Sequence, residues 1–119
     1  MITIRHQLLH LAQAYFHQDY ELEAATPLGV VRSFREGEPP GAIAELISDL
    51  EWVLNSTMDE REMYNLWIKE YGASYDPLAD GMSYRTWFSA MLGCLSARSW
   101  RPLSRNNRLI ELYFGRNFR

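Results

Sequence analysis

The chain is poor in the residues that carry chemistry or staple small proteins. It has one cysteine, Cys94, among 119 residues. No disulfide can form within the chain, so its core must hold itself, and a lone thiol fits a reducing compartment, the cytoplasm. Cys94 sits among Met91, Leu92 and Leu95, a setting that predicts a buried, inert thiol. No run approaches the roughly 18 apolar residues of a membrane span. The start, Met1 to His6, lacks the basic stretch and apolar core of a secretion signal. Phosphate loops of the GxxxxGK[ST] type, GxSxG elbows and CxxC pairs are all missing, so no catalytic residue is expected. His6 and His10 are spaced as a metal pair could be, yet no cysteine or acid completes the set nearby. Asp76 and Asp80 suggest a calcium loop, but Trp87 stands where that loop needs its closing glutamate. Neither metal nor cofactor is expected.

What is present is ordinary globular composition with an uneven charge. An apolar fraction of 47% and a charged fraction of 23% suit one domain. A chain of this length buries roughly 60–70% of its unfolded surface, enough for a core without staples. The net charge of −3 hides a division. Residues 1–97 hold 14 acids against 6 bases, a balance of −8, and residues 98–119 hold 6 arginines against Glu111, a balance of +5. An acidic body attracts a basic partner and repels nucleic acid. The Arg-rich extension is expected to fold back onto that body as part of the same domain.

The periodicity predicts an all-α domain, a compact bundle of about five helices. Leu8, Leu11, Ala12, Tyr15 and Phe16 mark one helical face, giving a helix from Ile4 to Phe16. Thr26 as cap and Pro27 in the first position start a second, to about Arg35. Ile43, Leu46, Ile47, Leu50 and Leu54 place a third from Pro40 to Leu54. Thr57 with Glu60 reads as a capping box for a fourth, Met58 to Tyr71, with Gly72 ending it. Ser83 caps a fifth whose stripe is Tyr84, Trp87, Phe88, Met91, Leu92 and Leu95. Gly93 lies inside it and suggests close helix–helix approach. Leu109 to Phe114 fits a short helix or an edge strand equally.

Two segments join aromatic clusters to acids and turn chemistry: Tyr15-Phe16-His17-Gln18-Asp19-Tyr20, and Tyr75-Asp76-Pro77 running on to Asp80-Gly81-Met82-Ser83-Tyr84-Arg85-Thr86-Trp87-Phe88. With Pro39-Pro40 between them, and over Leu8 to Leu95, this order resembles the small immunity proteins of bacterial contact-dependent growth inhibition, the CdiI type. The resemblance implies a binding protein that neutralises the C-terminal toxin domain of a large secreted effector, and not an enzyme. The extension after residue 97 departs from the family pattern, so nothing carries over to it.

Under that reading, occlusion is the expected mechanism. Toxins of such systems are often nucleases with basic surfaces, which an acidic protein can cover. The candidate contacts are Asp19, Tyr20, Glu21, Glu23, Glu45, Asp49, Trp52, Asp76 and Asp80. Trp52 lies across the helix from Leu50 and near Glu45 and Asp49, which makes it an anchor candidate or a residue packed under another element. His17 and Asp19 serve either local bonding at the helix end or the partner surface. A second reading is a small nucleic-acid-binding or regulatory module, using the Arg-rich tail and the base-stacking capacity of Trp100, Tyr113, Phe114 and Phe118.

Overall fold

Thr26 starts its helix by accepting the Gly29 N–H on its hydroxyl at 3.0 Å, and Pro27 follows where no N–H is needed. The computed structural model describes residues 4–22 and 24–96, and among these it holds five helices and no strand. α1 begins as an α-helix over His6–His10 and widens into a π-helical stretch over Leu11–Tyr15. α2 is Pro27–Gly37 and α3 is Pro40–Asn55. α4 begins over Glu60–Tyr64 and widens in the same way over Asn65–Glu70. α5 is Tyr84–Ser96. Short 3₁₀ turns occupy Tyr20–Leu22 and Pro77–Asp80. The all-α expectation therefore holds. The docking of residues 98–119, and the choice between helix and strand for Leu109 to Phe114, lie outside the described residues. No helix of the described residues is long and apolar enough to cross a membrane.

Three local expectations are corrected. The cap of α4 is Asp59, two residues later than Thr57. Its Oδ1 accepts the Glu62 N–H at 2.8 Å, and the Glu62 carboxylate accepts the Asp59 N–H at 2.9 Å. That closed pair leaves Glu60 to reach across to α5, where its two oxygens accept the Tyr84 and Arg85 N–H groups at 2.7 and 3.0 Å. Gly93 does not mark a close approach: an added Cβ would meet nothing within 4 Å. The buried stripe of α3 is Leu46, Asp49, Leu50 and Val53, rotated from the predicted one, with Ile43, Ile47 and Leu54 half-buried. An acid sits in that stripe, which is why apolar periodicity misplaced it.

α5 packs against α2, α3 and α4, and α1 lies against α3 and α2. Both ends of α5 are secured. Ser83 accepts the Thr86 N–H at 3.0 Å beside the Glu60 bonds. The Arg35 guanidinium donates to the Cys94 and Leu95 carbonyls, each at 2.9 Å, placing a cation at the negative end of the helix. Gly72 and Gly81 both take φ of +75°, the left-handed conformation that ends α4 and the Pro77–Asp80 turn.

Candidate binding surfaces

The candidate contacts among the described residues fall into two groups, at opposite ends of α1. Ten helical residues, His6 to Tyr15, separate the ends by roughly 15 Å at 1.5 Å per residue.

At the C-terminal end, the two aromatic segments meet in the core. The widened helix turns Phe16 inward, its N–H reaching back five residues to the Leu11 carbonyl at 3.0 Å. The Phe16 ring then lies 5.4 to 6.0 Å from the rings of Trp67, Trp87, Tyr20 and Tyr75. The Ser74 N–H donates to the Phe16 carbonyl at 2.8 Å, and the Trp67 indole N–H to the Tyr75 carbonyl at 2.8 Å. The acids here are turned to structural use. Asp76 accepts from the Leu78 N–H at 3.0 Å and the Tyr84 hydroxyl at 2.8 Å. Asp80 accepts the Tyr75 hydroxyl at 2.7 Å. Burial, then the bond to its carboxylate, pushes each of these phenols upward in pKa. Asp19 and Glu21 are exposed on the rim, Tyr20 is half-buried, and Glu23 lies outside the described residues. The Asp19 N–H donates to His17 Nδ1 at 3.0 Å, so His17 and Asp19 join in a local turn.

At the N-terminal end, α3 supplies Glu45, Asp49 and Trp52 at helical spacing. Asp49 is buried to 8% exposure, and its Oδ2 accepts the Gln7 and Leu8 N–H groups at 3.0 and 3.1 Å. It caps α1 from another helix, meeting donors that no residue of α1 satisfies. Burial raises its carboxyl above the ordinary value, partly offset by those two N–H groups and by Arg5. Glu45 is exposed and accepts from the Gln7 amide at 3.1 Å. Trp52 is 39% exposed, with the Arg5 guanidinium 4.3 Å from its ring centre. The Arg5 N–H donates to the Tyr71 hydroxyl at 2.9 Å, tying in the end of α4. Between α1 and α3 lies a notch of about 270 Å³, lined by Ile4, Arg5, Gln7, Glu45 and Asp49 among others. Arg5 Nε and Gln7 Oε1 are buried there without hydrogen-bond partners.

Sequence reasoning missed Ile4, Arg5 and Gln7. Their importance arises from contact with residues some forty positions away, which leaves no local signal. Of the remaining chemistry-bearing groups, burial pushes the Cys94 thiol up to about 11, leaving it a poor nucleophile at neutral pH. His10 faces Glu38 at 3.1 Å. Among the described residues, no group of three or more His, Cys, Asp or Glu side chains is placed to hold a metal ion.

Comparison with known proteins adds two findings. The sequence model of the family described as CdiI immunity protein matches residues 5–93. A crystal structure of a CdiA-CT/CdiI complex from Y. kristensenii is similar to this chain, with a TM-score of 0.73 and 15% identity, over 77% of this chain and 98% of that one. At such identity the likeness shows the fold alone. No curated protein matches the sequence.

Proposed function

This chain belongs to the CdiI immunity protein family, and from that premise we propose that it neutralises the C-terminal toxin domain of a contact-dependent growth inhibition effector by covering the toxin's active or substrate-binding surface. The family match over residues 5–93 carries the reading. The charge balance of −8 over residues 1–97 supports occlusion of a basic surface such as a nuclease's. Complementary charge speeds encounter, and aromatic anchors slow release. A standard interface takes about 800 Å² from each partner, an area a domain of this size can supply. The protein acts in the cytoplasm as a stoichiometric binder, with no catalytic step of its own.

The candidate contacts divide by what each side chain already does. Asp49, Asp76 and Asp80 hold the fold and act through the field they create. Asp19, Tyr20, Glu21, Glu45 and Trp52 carry the direct contacts, together with Glu23.

The test is co-purification with the C-terminal domain of the cognate effector, then calorimetry at two salt concentrations. Co-expression should also restore growth to cells making that domain. Nanomolar binding that weakens with salt supports both the pairing and the charged mechanism. Tight, salt-independent binding keeps the pairing and overturns the charge argument. Absence of binding at micromolar concentration overturns the pairing.

A further inference from the structure

We propose that the open cleft between the first turn of α4, the Pro77–Asp80 turn and the start of α5 seats a segment of this same chain, Leu109 to Phe114, with Glu111 paired to Arg61. The inference stands apart from the toxin-neutralising reading, because the family match ends at residue 93, before that segment.

The cleft has a volume of about 430 Å³ and is lined by Glu60, Arg61, Tyr64, Leu78 and Tyr84. Its walls are apolar. The Tyr64 ring stands edge-on to Tyr84 at 5.8 Å, and Leu78 is 55% exposed beside them. Arg61 is exposed and pairs with no acid among the described residues, although acids surround it. Each of those acids is already held. Asp59 and Glu62 close the helix cap on each other, and Glu60 takes the N–H groups of Tyr84 and Arg85. Asp76 takes the Leu78 N–H and the Tyr84 hydroxyl. Arg61 also stands in the first turn of α4, where the helix dipole disfavours a cation. The cleft therefore wants two things from its occupant: apolar bulk between Tyr64 and Leu78, and a carboxylate for Arg61.

The chain itself supplies both. Outside the described residues it has two acids, Glu23 and Glu111. Glu23 stands between Leu22 and Ala24, neither of which lines the cleft. Glu111 is the one acid of residues 98–119, and it sits inside Leu109-Ile110-Glu111-Leu112-Tyr113-Phe114, the most apolar run of that stretch. The reach is sufficient. The cleft lies at Tyr84 and the chain leaves α5 at Ser96, roughly 20 Å away along the helix axis. Residues 97–108 span up to about 40 Å when extended, so the chain can return along α5 to the cleft. That connecting stretch carries Arg98, Arg101, Arg105 and Arg108 and no acid, and the body it would cross has a balance of −8.

Hydrogen exchange of the full chain, followed by mass spectrometry, tests this against a synthetic peptide of residues 98–119. In the parent, the amides of residues 109–114 are expected to exchange about tenfold or more slowly than in the peptide, at any protein concentration. Leu78→Ser and Arg61→Glu alter exposed side chains, so protection of the α5 amides should persist in both. Each variant should cost residues 109–114 several-fold in protection, the scale of one exposed ion pair or apolar contact. Combining Arg61→Glu with Glu111→Arg should restore it. Exchange at the peptide's rate in the parent overturns the proposal. So does protection that neither variant changes, which would place the segment elsewhere, or a charge swap that restores nothing. Protection that grows with protein concentration assigns the cleft to a second copy of the chain. Protection of Tyr64 and Leu78 only on adding the toxin domain, with residues 109–114 unprotected, assigns it to the toxin. Either result overturns the inference and leaves the immunity reading standing.

Discussion

The two ends of α1 are built on opposite principles. At its C-terminal end Phe16 is sealed among four aromatic rings, and nearby acids are tied to tyrosine hydroxyls. At its N-terminal end, a buried acid caps the helix from α3 while a tryptophan and a glutamate stay at the surface beside a half-buried arginine. The residues that make the sequence resemble its family gather at the first end. A signature can therefore mark what a set of proteins must do to fold.

Breaking the aromatic end should have the largest effect. Phe16→Ala removes a fully buried ring and is expected to cost about 3–5 kcal/mol, read from the urea midpoint.

The N-terminal end comes next. Asp49→Ala strands the N–H groups of Gln7 and Leu8, at a cost of about 1–3 kcal/mol. Asp49→Asn keeps an oxygen acceptor and should cost less. Because burial raises the Asp49 pKa, ionisation opposes folding there. That penalty is absent below the unfolded carboxylate pKa and complete above the raised folded one. Asp49→Asn should accordingly look best, relative to the parent, at neutral pH and worst near pH 3. The reverse trend in denaturation midpoints would contradict the assignment. Asp49→Lys is unsuitable as a charge-reversal probe, since it removes the cap; the probe belongs on Glu45.

Two smaller effects sharpen the contrast. Gly93→Ala should stabilise α5 by roughly 0.5–1 kcal/mol, since the site is open and helical. A destabilised melt would restore the close approach that the sequence suggested. Glu38 behaves oppositely to Asp49. Its pKa is lowered, first by the Tyr15 hydroxyl at 2.7 Å and then by His10, so its contribution is present above the unfolded carboxylate value and lost as pH falls through the folded one. Tyr15→Phe should lose stability at neutral pH and match the parent in acid. An equal loss at both pH values would make the Tyr15 role one of packing alone.

Local chemistry was legible in the sequence because it acts over three or four residues. The apolar stripes of α1 and α5, the Thr26-Pro27 start, the Ser83 cap and the left-handed Gly72 were read correctly for that reason. The competing caps near Thr57 were not, because Thr57 and Asp59 each stand three residues before a glutamate and spacing alone does not rank them. Of the candidate site, Glu45 lies at the surface, and Trp52, which the sequence left open between an exposed anchor and a packed residue, is 39% exposed with Arg5 against its ring. Asp49, Asp76 and Asp80 were placed there too, although Asp49 accepts from donors of α1 and Asp76 and Asp80 accept from tyrosines of their own segment.

By itself, then, the sequence determined a helical domain with an acidic body and the signature of its family, since periodicity, composition and motif order are properties of the chain. Tertiary structure alone decided which acids face inward, that Glu60 secures a helix 24 residues on, and that Arg5 covers Trp52. Such pairings follow from distance in space, which folding creates and chain order does not encode locally.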